Sequence, residues 1–351
     1  MWKYILKRIG YMLLVLVILS FLMYFIYNLT PANRAYSDAR TDVTARKTML
    51  STMTAEEQAE YFDKVYLDYQ RRYGTDTNNI LVRYLRWVGV MPNYYGEYNG
   101  LLQGNLGYSQ EYKKPVIDVI KEPMKNTIFI NIFATILALG ITIPLGIFCA
   151  VRKNSRFDQG TQVFTVIGYS LPTFIISILF IWLFCSLLGI FPVSGMNTPG
   201  ATFDSTWDWF LDRMYYLALP LITMTFCSLG GMTRYVRNSM IEALSLDCIR
   251  TARAKGVKEK TVIYSHAFRN ALIPIITLVI GWFISIFTGS LIIEDMFGLN
   301  GMGKLMIQAL RTSDFDIAVL MQVFYVLLSL VGNLITDIVY GLVDPRIRVS
   351  E

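Results

Sequence analysis

Few residues of this chain have the types and spacing that bond chemistry needs. His266 is the single histidine, and both histidine-containing metal sites and Ser-His-Asp arrangements need an imidazole with helpers close by. Hydrolytic readings start weak. Cys149, Cys185, Cys227 and Cys248 have neither metal-ligand spacing nor the density of a disulfide scaffold, so no metal ligands are assigned and redox chemistry is not expected. The run Gly298 to Leu305 nearly satisfies the phosphate-loop pattern G-x-x-x-x-G-K-[ST], but Leu305 stands where a hydroxyl must reach magnesium. It reads better as a glycine-rich turn. Glu294, Asp295 and Asp337 are the acids nearest apolar stretches, and such acids are the usual sign of ion coupling. Asp337 reads as a hydrogen-bonding or paired group rather than a proton relay. No catalytic residues are assigned.

The elements that hold these residues are membrane helices. Of the 351 residues, 54% are apolar and 17% charged, and mean hydropathy is +0.43, against about 25% charged in an ordinary soluble domain. Six stretches reach the about 20 apolar residues needed to cross a bilayer: about 9–29, 127–151, 162–190, 214–232, 271–293 and 317–343. The first is too long for the core of a cleaved signal peptide and reads as a retained helix. Pro144, Pro172, Pro220 and Pro274 interrupt these stretches and favour local bends. Asn126, Asn131 and Asn333 read as groups that join helices, the alternative being hydrogen bonds to a passing peptide backbone.

Charge sets the expected orientation. The termini and two of the short connections hold sixteen lysines and arginines against six acids, a net +10 that leaves −4 for the rest of the chain. Cytoplasmic loops carry such an excess, so both termini are expected in the cytoplasm. The pI near 9.0 is then a topology signal, and nucleic acid is not an expected partner. The chain divides into an N-terminal membrane helix (1–29), an extracytoplasmic segment (30–126), a five-helix core (127–343) and a cytoplasmic tail (344–351). In the outer segment, Thr54 and Glu57 have capping-box spacing. Phe62, Val65, Tyr66, Tyr69 and Tyr73 recur at helical steps until Gly74. They predict an amphipathic helix over about 55–73, packing its aromatic stripe on the outer ends of the membrane helices or docking another protein.

The connection over about 234–270 carries the most information. Two helical pieces are expected, about 238–255 and 258–271, with Gly256 between them where a non-helical dihedral costs least. Such a hairpin presents Ile249, Ala252 and Val257 inside a ring of positive charge, a surface able to fill a groove on a soluble partner. The alternative is a loop that is basic only because cytoplasmic loops usually are.

Here the sequence resembles the inner-membrane permease subunits of ATP-binding-cassette importers, in particular the B-type subunits of the dipeptide and oligopeptide branch. The resemblance lies in RTARAKG from Arg250 to Gly256, followed nine residues later by His266-Ala267-Phe268-Arg269-Asn270-Ala271. Arg250 and Phe268-Arg269 depart from the wider superfamily pattern and favour the peptide and nickel branch. LVRYLRWVG, GNLGYS, GYSLPTFIISILFIWLF, the Phe297-Gly298-x-x-Gly301-x-Gly303 segment and DIVYGLVDPRIR extend the likeness along nearly the whole chain.

The resemblance implies an all-α polytopic membrane protein of six transmembrane helices, type I importer permease-like, with an extended, partly helical outer segment. It implies a bacterial cytoplasmic-membrane location and one half of a peptide translocation pathway. Partners would be a homologous second permease, two cytoplasmic ATPase subunits that hold the ATP and magnesium, an extracytoplasmic substrate-binding protein and membrane lipid. No cofactor is expected on this chain and no catalysis in it. ATPase coupling is expected from Cys248, Ile249, Arg250, Thr251, Ala252, Arg253, Ala254, Lys255, Gly256, Val257 and Lys258, and Phe297, Gly298, Gly301 and Gly303 are expected to shape the outer mouth. An ion-coupled secondary transporter is the alternative, as are nickel, glutathione or glycoside substrates within the same permease role.

Overall fold

The computed structural model describes residues 2–29, 34–46, 51 and 53–343. The tail expected over 344–351 lies outside them. Helices dominate, and among the described residues the sheet content is one antiparallel ribbon of β1 (Tyr108–Ser109) and β2 (Lys114–Pro115), with Tyr108 opposite Pro115. The chain divides into two compact units, one of residues 120–308 with the chain from 328 onward, the other of residues 2–119 and 309–327.

In the second unit, α1 (Trp2–Asn28) is apolar on nearly every side, as a helix facing lipid must be. It is followed by α2 (Arg34–Ala45), α3 (Ala55–Arg72) and α4 (Ile80–Val88). The start of α3 is the reciprocal pair read from the sequence: Thr54 N–H donates to Glu57 at 2.7 Å and Glu57 N–H to the Thr54 hydroxyl at 3.3 Å. Its aromatic stripe meets α2. Phe62 and Tyr66 stand edge-on to Tyr36 at 5.3 and 5.9 Å, and Tyr73 donates to Asp38 at 2.6 Å. The expected packing of this stripe on membrane-helix ends is therefore corrected, because the charged α2 that covers it carries little apolar signal of its own. In α4, capped by Asn79, Tyr84 pairs with Ser20 of α1 at 2.7 Å and Arg83 donates to Asn28 at 2.6 Å.

The rest of the chain supplies α5 (Val116–Val151), α6 (Arg156–Ser170), α7 (Thr173–Phe180), α8 (Thr206–Leu244), α9 (Asp247–Ala254), the single turn α10 (Glu259–Thr261), α11 (Phe268–Ser285), α12 (Leu291–Met296), α13 (Met302–Arg311) and α14 (Phe315–Val343). Four helices are long and apolar enough to cross a membrane unbroken: Leu6–Asn28, Val116–Val151, Thr206–Leu244 and Phe315–Val339. Two further helix pairs are long and apolar enough only when taken together, and each is bent, as in a broken span or a re-entrant loop. The stretch expected over 162–190 turns by 103° between Ser170 and Thr173, because Pro172 lacks a backbone donor and pushes Leu171 to an extended conformation (ψ 134°). The other pair, Glu259–Leu272 and Pro274–Ser285, bends by 56°. The stretch expected to reach residue 293 stops at Ser285, and α12 is a separate short helix.

The core of the first unit has two centres. One joins Val236 and Met240 of α8 to Ile249, Val262, Ala267 and Ile275. The other joins Ile130 of α5 and Leu217 and Leu221 of α8 to Ile293, Phe297 and Leu299.

Candidate functional site

The basic hairpin begins where α8 ends. The expected helix over 238–255 is broken at Ser245 and Leu246, so α9 is an eight-residue piece set off from α8. Its C-terminus is closed by a left-handed Gly256 (φ +74°), with Gly256 N–H bonded to Arg253 O at 3.0 Å and Val257 N–H to Ala252 O at 3.2 Å. This reciprocal pair satisfies the last free carbonyls of the helix and needs a residue that tolerates positive φ. The chain then passes through α10 and wide helical turns over Val262–Ala267 into α11.

Burial on this hairpin differs from the sequence expectation. Ile249 is 0% exposed, and Ala252 and Val257 pack against the same cluster. The apolar face is turned inward as a plug between α8 and α11, so it is not a surface offered to a partner's groove. Cys248, Arg250, Thr251, Arg253, Ala254, Lys255, Gly256 and Lys258 are exposed. Arg253 pairs with Glu259 at 2.7 Å and Arg250 with Asp247 at 3.4 Å, both in water. One cation counted in the charge excess is internal: Arg237 of α8 grips the fully buried Asp158 of α6 with two bonds of 2.6 and 2.7 Å. The arrangement is an exposed polar foot with buried contacts behind it.

The glycine-rich turn is built on the opposite principle. Phe297, Gly301 and Gly303 are buried, and only Gly298 (φ +63°) retains surface. They pack the interior of the unit. The turn closes on Glu294, which is 3% exposed. Its carboxylate accepts from the Thr127 hydroxyl at 3.0 Å and from Lys304 N–H at 3.1 Å, while Met302 N–H donates to the Thr127 oxygen at 2.8 Å. Free amides in the first turn of α13, which have no partner inside a helix, are thus satisfied by side chains from α12 and α5. The phosphate-like cradle exists, and an internal carboxylate fills it. Burial raises the Glu294 pKa from its ordinary value, opposed by the bonds from Lys304, Thr127 and Gly303. A Cβ on Gly301 would strike the Glu294 carboxylate, and one on Gly303 would come within 2.7 Å of Leu291 N. Beside this clasp, Asn126 donates to Asn300 O at 2.7 Å and accepts from the buried Arg213 at 2.6 Å.

Thr127, Asn126 and Arg213 were not singled out from the sequence as parts of this site. The Asn-Thr pair at the head of an apolar stretch was the available signal, but its partners lie 87 to 175 residues away. Among the described residues, no group of His, Cys, Asp and Glu is placed to hold a metal ion.

A cavity of about 520 Å³ opens in the first unit between α5, α6, α8 and α11, lined in part by Asn131, Thr135, Tyr169, Ser228, Tyr235 and Trp282 and by no Asp, Glu, Lys or Arg. Asn131 reaches across it to cap α11, donating to Ser285 O, Ile286 O and Thr288 O at 3.0–3.3 Å. A Cβ on Gly231, also in the lining, would meet nothing within 4 Å.

Residues 142–349 match the family described as binding-protein-dependent transport system inner membrane component. The oligopeptide transport system permease protein AppB of Bacillus subtilis is 37% identical over 76% of this chain and 80% of its own length. The dipeptide transport system permease protein DppB of Lactococcus lactis is 31% identical over 99% of this chain and 100% of its own. Among solved structures, an inward-facing MetNI methionine ABC transporter chain covers 64% of this chain and 98% of its own at 16% identity and TM-score 0.49, too slight a likeness to bear on the fold.

Proposed function

Because this chain belongs to the family of binding-protein-dependent transport system inner membrane components, we propose that it is the membrane-spanning half of an importer that passes peptides across a bacterial cytoplasmic membrane. Peptide as the cargo is supported by relatives described as oligopeptide and dipeptide permeases. The other half of the pathway is a homologous permease, and an extracytoplasmic receptor delivers the peptide. Both termini lie in the cytoplasm, in keeping with the +10 excess on that side. The uncharged lining of the 520 Å³ cavity suits a conduit that admits many side chains, with selection made before entry.

Power comes from two separate ATPase subunits that hold the ATP and magnesium. They grip the exposed residues of α9 and the Lys255–Lys258 turn, and their closure moves the foot. The observation that carries this reading is the division of labour in the hairpin. Polar and small residues face outward, while Ile249 is locked into the cluster shared by α8 and α11. A push on α9 therefore cannot be absorbed locally and is passed to the two helices that wall the cavity. Interiors this closely packed transmit displacement rather than damp it.

The test is Gly256→Asp in the full assembly reconstituted in proteoliposomes. A Cβ there meets no neighbouring atom, so the substitution brings only the strain of a side chain at φ +74° and the chain is expected to insert, while the added side chain stands in the contact face. Receptor-stimulated ATP hydrolysis and peptide uptake are expected to fall together. Wild-type stimulation in a normally inserted variant would remove the foot from the mechanism.

A further inference from the structure

The second unit carries a compact loop that the transport reading does not use. Residues 89–105 follow α4 directly and hold one charged residue, Glu97. Much of the loop backbone is bonded within itself: Asn93 N–H to Glu97 O at 2.8 Å, Gly96 N–H to Asn93 O at 3.0 Å and Asn105 N–H to Gly100 O at 3.0 Å. Gln103 ties both ends, donating to Gly89 O at 3.1 Å and accepting from Gly100 N–H at 3.0 Å. Outside, large apolar and aromatic side chains stand beside the exposed polar Glu97, Asn99, Gln103 and Asn105. Tyr95, Tyr98 and Leu102 are 56%, 59% and 69% exposed.

The height of the loop relative to a bilayer follows from α1. The span Leu6–Asn28 ends at Asn28, which accepts from Arg83. Trp87, two residues before the loop, packs on Tyr24 at 5.4 Å between ring centres, and Tyr84 reaches Ser20. At 1.5 Å per residue, Tyr24 lies about 6 Å inside the end of the span. The loop therefore leaves α4 at the depth where hydrocarbon gives way to headgroups.

We propose that residues 89–105 form an in-plane membrane anchor, with Tyr95, Tyr98 and Leu102 seated in the lipid headgroup interface at the C-terminal end of α1. Tyrosines are enriched at that depth because an apolar ring and a polar hydroxyl find both media within reach. A backbone bonded to itself can enter the interface without stranding many donors. The anchor fastens the segment between the first two spans flat against the bilayer. It also makes the loop part of the lipid-contacting surface, not of the surface that meets a soluble receptor.

The test places the photoreactive residue p-benzoylphenylalanine at Tyr95 or Tyr98, with Glu60 on exposed α3 as control, in the assembled transporter in lipid nanodiscs. Irradiation followed by intact-mass measurement is expected to give lipid adducts at 95 and 98 about tenfold above the control. Adducts with a receptor protein, or lipid adducts no more frequent than at Glu60, would overturn the proposal. Should these variants fail to assemble, a spin label on Leu102→Cys in a Cys248→Ser background reads the same depth. Oxygen must broaden its signal more than a water-soluble nickel chelate, and the reverse order sinks the anchor.

Discussion

The basic hairpin and the glycine-rich turn both rely on glycine, for opposite reasons. Gly256 sits in open space at φ +74°, and what it supplies is a backbone angle. Gly301 has no such angle, and what it supplies is the absence of a Cβ where the Glu294 carboxylate must pass. The hairpin keeps its apolar side chain, Ile249, behind an exposed polar front. The turn keeps a polar side chain, Glu294, behind a buried apolar front. A segment with an exposed polar front can be altered at its surface with little loss of stability, whereas a segment that joins helices through buried contacts cannot.

That contrast can be broken by substitution, read as shifts in unfolding free energy from SDS titration of the purified chain. Ile249→Ala should cost most, about 3 kcal/mol, since it empties a fully buried site between α8 and α11. A cost near zero would mean the plug is loose and the lever has no anchor. Gly301→Ala comes next at about 2 kcal/mol, because the methyl displaces the Glu294 carboxylate from its donors. Glu294 adds a pH signature. Its pKa is raised on folding, so its contribution to stability is whole below its ordinary value and lost as pH rises through the folded value. Wild-type stability should fall across that window, and Glu294→Gln should flatten the slope while lowering the whole curve, since an amide faces N–H donors. Gly256→Ala should cost about 1 kcal/mol, the strain of a left-handed residue with a free Cβ. If it costs as much as Gly301→Ala, the two glycines do not differ as described. Glu259→Gln should change stability by less than about 0.5 kcal/mol, because its pair with Arg253 is exposed on both sides.

Much of the architecture was legible from local pattern. The apolar stretches, the capping box at Thr54 and the stop near Gly74 all depend on residues a few positions apart, and each has its counterpart in the structure. The break at Pro172 was legible as a bend but not as a 103° turn, because the angle depends on what α6 and α7 pack against. The stripe Phe62, Tyr66 and Tyr73 was visible as a stripe, yet its cover, α2, carries Tyr36 and Asp38 in an otherwise polar run that periodicity could not flag. Ile249 stood out as apolar among charges, and the sign of its exposure was misread for the same reason. An apolar residue on a short helix fits a partner's groove and its own chain's core equally well.

By itself the amino-acid order determined which stretches can enter a bilayer, which connections carry excess positive charge and where many helices start and stop, since these follow from hydrophobicity, charge and hydrogen bonding among near neighbours. Only the tertiary structure decided that Ile249 faces inward, that Glu294 fills the cradle of a false phosphate loop and that Thr127 completes it. Those are relations between groups brought together from distant parts of the chain, and burial, unlike propensity, is a property no residue has until its neighbours arrive.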